Sequence, residues 1–447
     1  MGRIFGTDGV RGVAGSELTA ELALNIGRAA AMVLAKEKKH KPLVLVGRDT
    51  RISGTMLESA VSAGLCSVGA DCCILGVVPT PAVSFLTEHL HADAGVMISA
   101  SHNTFEFNGI KLFGGDGFKL TDEMEAEIEK IVLDTSNYHV KTGSEIGRVF
   151  YNSEAVDEYV AYIAKYYSGN FKGRILVDTA NGSAAATAQK LFEKIGVRAD
   201  IIFKDYNGLD INEGCGSTHM DMVAKMTAEG KYDLGFAFDG DADRFFAVDE
   251  KGNVINGDSI IYMLARHLRE QGKLKKDAVV VTTMSNLGLL KLLDKGKFIT
   301  EITDVGDRYV LESMRENGYS IGGEQSGHII LLDYLKTGDG ELSAVALLNA
   351  LCYYGGTLSQ LASDLVPYSQ VMVNVNATPS MKKELASDPN VANRIKKWEK
   401  IFDGRGRIVV RPSGTESFIR VMIEGESRET IETAAKDIAE AISLHLI

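Results

Sequence analysis

Short apolar runs alternate with amphipathic stretches along most of this chain. Three segments share one order, in which an apolar strand leads through a polar, glycine-containing turn into a helix and a second strand. The first strands are predicted at 43–46, 174–177 and 278–281, and the turns at 48–54, 178–183 and 282–288. The first helix is predicted at 55–69, and the second and third helices follow their turns and end near 195 and 294. The second strands are predicted at 72–75, 198–203 and 298–302. This alternation is typical of parallel α/β units, so we expect three related domains.

The pattern changes in the C-terminal part of the chain. Strands are predicted at 370–375, 407–411 and 417–423, and a helix at 429–446. This order predicts a smaller α+β domain. The fold class expected for the whole chain is therefore α/β, with three mixed-sheet α/β/α domains followed by that α+β domain. The predicted boundaries are 1–150, 151–252, 253–367 and 368–447.

The composition narrows the class of protein. The 447 residues are 45% hydrophobic and 24% charged, as in ordinary soluble globular proteins. No apolar stretch approaches the ~20 residues of a membrane span, and the charged N-terminus lacks the apolar core of a signal peptide. Five cysteines without a C-x-x-C pair provide no disulfide or zinc framework, so we expect a cytoplasmic protein. The net charge of −12 disfavours nucleic acid or an anionic membrane as a partner.

Three carboxylates alternate within five residues, at Asp239, Asp241 and Asp243, and apolar runs that predict buried strands flank them. Neighbouring carboxylates at this spacing repel by about 2–3 kcal/mol at an effective dielectric of about 20, so a buried cluster needs a cation. Oxygen ligands favour a hard divalent ion such as Mg²⁺. An EF-hand is excluded because Arg244 stands where that loop needs glycine, whereas a solvated acidic turn remains an alternative.

A hydroxyl, an imidazole and an ammonium follow the apolar run 95–98. Ser101 is a candidate nucleophile or phosphoryl acceptor beside His102 and Lys111. Lys111 is a candidate general acid or base, or a counter-ion for phosphate. The alternative is a serine that only caps a helix.

Other polar segments suit phosphorylated, hydroxyl-rich ligands. Glu324 and Ser326 lie in a glycine-rich segment that offers hydrogen bonds to sugar hydroxyls, unless it is only a polar turn. Residues 411–416 with Arg420 combine arginines, hydroxyls and a glycine backbone, which can form a phosphate cradle unless they form a surface turn. Polar turns that open helices offer further phosphate sites. Arg11 and Arg308 are basic positions with glycine neighbours.

Four loops together closely resemble the α-D-phosphohexomutase superfamily, in order and over essentially the whole chain. They are the phosphoserine loop 99–103, the metal loop 239–244, the sugar loop 323–328 and the phosphate loop 411–416. Within the superfamily, residues 5–12, Gln325 and residues 305–308 look like those of bacterial phosphoglucosamine mutases. The sequence departs from the usual pattern at Thr104, Phe107 and Ser417, which concerns the rigidity of the loops and not their charged or nucleophilic groups.

The resemblance implies an isomerase that interconverts glucosamine 6-phosphate and glucosamine 1-phosphate, toward UDP-N-acetylglucosamine and cell-wall precursors. Ser101 would be phosphorylated, and its phosphate would join Asp239, Asp241 and Asp243 around one Mg²⁺ per subunit. Glucosamine 1,6-bisphosphate would be the intermediate and activator. The partner would be a small sugar phosphate, and the family suggests a homodimer.

The resemblance also implies roles for the remaining groups. The catalytic set would be Ser101, His102, Lys111, Arg11, Arg244 and Arg308. The substrate-binding set would be Glu324, Ser326, Arg411, Ser413, Gly414, Thr415 and Arg420. The alternatives left open are the same chemistry on glucose or mannose phosphates, a metal-dependent sugar phosphatase, and a binding module without turnover.

Overall fold

The computed structural model describes residues 4–6, 8–34, 40–134, 138–413 and 417–445. The described residues form two compact units. The first contains the residues up to Thr282 together with Glu301–Ser363, and the second contains Thr283–Thr300 and the residues from Asp364 onward. Of the described helices, none alone is long and apolar enough to cross a membrane, although one bent pair, Gly340–Tyr354 with Leu358–Asp364, meets the criteria of length and composition.

The first sheet of the first unit is built from β1 (Val10–Val13), β2 (Leu43–Arg48), β3 (Asp71–Val77), β4 (Ala94–Ile98), β5 (Phe107–Gly114) and β6 (Val149–Tyr151). Its helices are α1 (Ala20–Leu34), α2 (Gly54–Ser67), α3 (Thr80–His89) and α4 (Asp122–Leu133). The strand order is β1-β5-β4-β2-β3-β6. Strand β2 is parallel to β3 and β4, whereas β5 is antiparallel to β4. The parallel pairing of β2 and β4 brings the turn after β2 beside the Ser101 loop after β4.

The second sheet contains β7 (Arg174–Asp178), β8 (Arg198–Ile202), β9 (Leu234–Phe238), β10 (Phe245–Val248) and β11 (Val254–Ile255), in the order β11-β10-β9-β7-β8. The helices of this region are α5 (Ala155–Ala164), α6 (Ala188–Lys194) and α7 (Met220–Glu229). The acidic residues 239–243 lie between the antiparallel strands β9 and β10, whose last and first residues, Phe238 and Phe245, are paired. Strand β11 pairs with β10, so this sheet extends past residue 252.

The third sheet contains β12 (Ala278–Thr282), β13 (Ile299–Thr303), β14 (Ile321–Gly323) and β15 (Ile329–Leu331), in the order β13-β12-β14-β15. The helices of this part of the chain are α8 (Gly257–Glu270), α9 (Leu287–Lys295), α10 (Asp307–Asn317), α11 (Gly340–Tyr354) and α12 (Leu358–Leu361). Helix α9 belongs to the second compact unit, although the strand–turn–helix pattern assigned it to the third repeat. Within that second unit, Asn286 at the start of α9 donates to Glu424 at 3.0 Å.

The C-terminal strands β16 (Ser369–Asn376), β17 (Gly406–Pro412) and β18 (Phe418–Gly425) form an antiparallel sheet in the order β16-β18-β17. Helices α13 (Pro379–Glu384), α14 (Pro389–Phe402) and α15 (Arg428–His445) complete this part. The pattern predicted the strands and α15 but missed α13 and α14. The sequence does mark where these two helices begin, because Thr378 and Asp388 are helix N-caps and a proline follows each of them. The mixed sheets agree with the predicted α/β fold class.

A buried acidic cluster at the start of α11 connects it to α5 and to the residue that precedes α6. The Tyr159 hydroxyl donates to Asp339 at 2.7 Å, and the Thr187 hydroxyl donates to Glu341 at 2.8 Å. Burial and the neighbouring Asp339 raise the pKa of Glu341 to about 8. Glu341 is therefore largely protonated in the folded protein at neutral pH.

Replacing Glu341 with glutamine should reduce the pH dependence of stability. Glu341 gives up its proton near pH 4.5 when unfolded but near pH 8 when folded, so the wild-type free energy of unfolding should fall as the pH rises between these values. The contribution is at most about 1.4 kcal/mol per pH unit. Urea denaturation at several pH values measures it, with the exposed Glu229→Gln as the control. Equal pH slopes for wild type and Glu341→Gln would contradict a protonated Glu341.

Candidate active site

Ser101 and the acidic loop lie together although they follow strands of different sheets. The Ser101 hydroxyl donates to Asp239 Oδ2 at 2.6 Å, and both residues are buried. The loops approach through their backbones, because a Cβ atom on Gly240 would come 2.6 Å from the Ser101 carbonyl oxygen. Ser101 itself has a φ of +52°, which non-glycine residues rarely adopt. The serine is thus held in an uncommon conformation with its hydroxyl facing the carboxylates.

The three aspartates form a group that can hold a metal ion. One oxygen from each of Asp239, Asp241 and Asp243 lies within 4.8 Å of the others. Within the described part of the chain, Asp241 Oδ1 and Asp243 Oδ1 are buried and have no hydrogen-bond partner. Burial and the two neighbouring carboxylates raise the pKa of Asp239 to about 8. Oxygen ligands with buried, unpartnered atoms fit a hard divalent cation.

Lys111 provides the nearest positive charge. Its Nζ atom lies 2.8 Å from Asp241, 3.0 Å from Asp8 and 3.4 Å from Asp243. Burial disfavours the ammonium form, but Asp241 and Asp8 outweigh that cost and hold the pKa of Lys111 well above its usual value. An ammonium group cannot accept a proton. So high a pKa also makes the ammonium a poor proton donor, so the contacts of Lys111 favour the role of counter-ion over that of general acid or base.

His102 lies beside the serine, with Nδ1 3.4 Å from the Ser101 hydroxyl oxygen. Burial, together with the charges of Arg244 and Arg11, lowers the pKa of His102 to about 4. The imidazole is therefore neutral at neutral pH and is a weaker base than an ordinary histidine. The Arg244 amide donates to Asp239 at 3.2 Å, and the Arg11 guanidinium pairs with Asp8.

A ring of alternating acidic and basic side chains includes residues that the sequence pattern did not mark. His328 lies 3.7 Å from Asp243 and 3.6 Å from Asp307, and Lys119 pairs with both Asp307 and Asp8. Lys111 closes the ring between Asp8 and Asp243. Asp8, Asp307 and His328 lie in segments 5–12, 305–308 and 323–328, which carry the family resemblance, so the sequence already pointed to these positions. No sequence pattern pointed to Lys119, because its partners Asp8 and Asp307 lie far from it along the chain.

The other predicted residues of the first unit lie in two groups. Glu324 accepts a hydrogen bond from the Gly306 amide at 3.0 Å, and the Ser326 hydroxyl donates to Glu324 at 3.4 Å. Arg308 pairs instead with Asp122 at 2.8 Å and with Glu312 at 2.9 Å. The structure thus gives Arg308 carboxylate partners outside the aspartate triad, and its catalytic role stays a prediction.

The predicted phosphate loop belongs to the second unit. Arg411 and Arg420 are directly opposite each other on β17 and β18. Ser413 is buried, and its amide donates to the Phe418 carbonyl at 2.8 Å. Gly414 and Thr415 lie outside the described residues.

Family models match the chain in four consecutive segments. They describe phosphoglucomutase/phosphomannomutase alpha/beta/alpha domain I at residues 2–139, domain II at 157–252, domain III at 256–368 and the C-terminal domain at 372–441. The chain belongs to the phosphoglucomutase/phosphomannomutase family. The predicted resemblance and fold class are thereby confirmed, and each of the four loops falls in a different domain of the family.

Relatives within this family cover the full chain. A phosphoglucosamine mutase of Clostridium acetobutylicum is 49% identical over 444 residues, which are 99% of each chain. The crystal structure of a family member from Burkholderia thailandensis has a TM-score of 0.83 at 24% identity and covers 99% of this chain and 97% of its own. N-acetylphosphoglucosamine mutase of Aspergillus fumigatus, solved with GlcNAc-6P and magnesium, has a TM-score of 0.73 at 18% identity, with 99% and 96% coverage. Both structures share the family fold.

Proposed function

We propose that this protein interconverts glucosamine 6-phosphate and glucosamine 1-phosphate through a phosphoserine at Ser101. The observation that carries the proposal is the buried contact of 2.6 Å between the Ser101 hydroxyl and Asp239, inside a carboxylate triad that fits a metal. The full-length identity of 49% to a phosphoglucosamine mutase supports the choice of sugar. The product would feed UDP-N-acetylglucosamine and cell-wall precursor synthesis in the cytoplasm.

The proposed reaction shifts the phosphate of the sugar from O6 to O1 through two phosphoryl transfers with Ser101. The bond between phosphorus and Ser101 Oγ breaks as a bond to the sugar O1 forms, and the O1 proton passes to a nearby base while Oγ is protonated. The resulting glucosamine 1,6-bisphosphate turns end for end. Its 6-phosphoryl group then passes to Ser101 Oγ, which gives up its proton, while O6 is protonated; this leaves glucosamine 1-phosphate and restores the phosphoserine.

The residues of the site divide this work. Asp239, Asp241 and Asp243 would hold Mg²⁺, which when bound offsets the charge of the phosphoryl group in transfer. The Lys111 ammonium adds positive charge on the same side, since it already contacts two of these carboxylates. His102 and His328 are the nearby imidazoles that can move the hydroxyl proton.

Substrate binding completes the proposal. Glu324 and Ser326 would bind sugar hydroxyls in either orientation, and Arg411, Ser413, Gly414, Thr415 and Arg420 would bind the phosphate that is not being transferred. Arg11, Arg244 and Arg308 would add positive charge around the phosphoryl groups. A homodimer is proposed on the strength of the family alone.

Sugar specificity tests this function. With glucosamine 6-phosphate, glucose 6-phosphate and mannose 6-phosphate in parallel coupled assays, kcat/KM should be at least about tenfold higher for the amino sugar, as expected when a site hydrogen-bonds a group its competitors lack. Ser101→Ala is the background control. Equal or higher kcat/KM for glucose or mannose phosphate would overturn the proposed substrate. Steady release of inorganic phosphate would favour the phosphatase alternative.

A further inference from the structure

The Arg51 side chain is fully buried beside the proposed phosphoserine loop. A buried guanidinium is costly unless its charge and its donors are satisfied. Its charge is balanced by Asp49, whose Oδ2 lies 2.8 Å from Arg51 Nε. Both residues lie in the turn that follows β2, where the sequence suggested a phosphate site. The structure directs this side chain toward the protein's own backbone instead.

All five N–H donors of Arg51 are used. Nε donates to Asp49, and the four remaining donors go to backbone carbonyls of the segment that carries Ser101. Nη2 donates to Ser101 O at 2.9 Å and to Asn103 O at 2.8 Å, and Nη1 donates to Phe107 O at 3.0 Å and to Thr104 O. The planar fork of arginine is suited to such multiple bonding, whereas lysine has three donors on a single atom.

The same segment is held by further contacts. Asp49 accepts from the Ser99 hydroxyl at 2.7 Å, and that hydroxyl in turn accepts from the Ser101 amide at 2.9 Å. Asn212 donates to the carbonyls of Ser101 and Asn103, each at 2.9 Å. Arg51 and Asn212 therefore hold the same two carbonyls, although they follow strands of different sheets. These contacts surround the backbone at its left-handed residue, Ser101.

We propose that Arg51 is a positioning residue for phosphoryl transfer. It fixes the backbone of residues 101–107 and thereby keeps the Ser101 hydroxyl directed at Asp239, without touching substrate. The proposal rests on the proposed function for its kinetic consequence, but the clamp itself is a property of the loop. Misplacement of a reacting atom by about 1 Å can cost about 100-fold in rate, so a loosened clamp should act on turnover more than on substrate affinity.

Arg51→Lys tests the proposal, with Arg48→Lys as the matched control. Arg48 is the last residue of β2, just before this turn; it pairs with Glu58 at 3.2 Å and donates to the Asp49 carbonyl at 3.2 Å, and neither of these two contacts involves the Ser101 segment. In Arg51→Lys, kcat should fall about 100-fold while KM changes less than about threefold. Amide hydrogen exchange in a peptide spanning 99–108 should become at least about tenfold faster, since the segment opens more often once its carbonyls are released. Arg48→Lys should change neither quantity.

Several outcomes would overturn the proposal. The first is a wild-type kcat in Arg51→Lys, and the second is an equal loss of kcat in Arg48→Lys. The others are a change in Arg51→Lys that is confined to KM, and hydrogen exchange of 99–108 in Arg51→Lys that equals that of the wild type. If Arg51→Lys does not fold, Asn212→Ala decides by the same readouts, because it removes the second donor to the same carbonyls. If the wild type does not turn over glucosamine phosphates, the proposed function fails, and the exchange experiment alone decides whether Arg51 holds the loop.

Discussion

Ser101→Ala should lower mutase activity by at least about 1000-fold, the scale expected when the group that forms a covalent intermediate is removed. The physical reason is that the Ser101 hydroxyl, which donates to Asp239 at 2.6 Å inside the carboxylate triad, is the group proposed to carry the phosphoryl group. Activity is measured by coupling glucosamine 1-phosphate formation to a downstream enzyme. Intact mass should at the same time show loss of the species about one phosphate heavier.

The control for this prediction is Ser84→Ala. Ser84 is also buried, and its hydroxyl donates to the Gly117 carbonyl at 2.6 Å, away from the carboxylates. This variant should lose stability of about 1 kcal/mol but keep its activity per folded molecule. Retention of normal activity by Ser101→Ala without added bisphosphate would show that Ser101 does not carry the phosphoryl group.

Asp241→Asn should weaken metal binding strongly. The substitution removes one negative charge from the ligand set and leaves the Lys111 ammonium with less compensation, so the Mg²⁺ concentration for half-maximal activity should rise at least about tenfold. Calorimetric titration of Mg²⁺ into the protein measures the same change without turnover. The maximal activity should fall as well, because Asp241 also accepts hydrogen bonds from Thr80 and Lys111, at 2.6 and 2.8 Å.

The exposed Asp221→Asn controls for the general loss of one negative charge. It should leave the Mg²⁺ titration unchanged, because Asp221 lies in the first turn of α7, outside the triad. A wild-type Mg²⁺ titration for Asp241→Asn would remove the 239–243 loop from the metal site.

Local chemistry made part of the site visible in the sequence. The alternation of carboxylates between two apolar runs identifies Asp239, Asp241 and Asp243 as a candidate metal site, since buried carboxylates so close together need a cation. The hydroxyl, imidazole and ammonium of Ser101, His102 and Lys111 were likewise recognisable, because they closely follow the apolar run 95–98. The contact between Ser101 and Asp239 was implied only by resemblance, because it joins residues of two different sheets.

Other parts of the site depend on tertiary packing that no local pattern reveals. Lys119 gains its role in the charge ring only when Asp8 and Asp307 are brought to it, at positions 111 and 188 residues away. The polar turn 48–54 was a possible phosphate site in the sequence, yet the donors of Arg51 in this turn satisfy the carbonyls of a neighbouring loop. Helix α9 followed the repeat pattern in sequence, but its contacts placed it with the C-terminal unit.

The most direct test follows the phosphoryl group itself. Protein carrying ³²P on Ser101, prepared with labelled glucosamine 1,6-bisphosphate, is mixed with unlabelled glucosamine 6-phosphate, and the label is followed on the protein, in sugar phosphates and in inorganic phosphate. We predict that the label leaves Ser101 at the rate of turnover and appears in sugar phosphates. Label that stays on the protein through many turnovers, or that appears only as inorganic phosphate, would contradict the phosphoserine mutase mechanism.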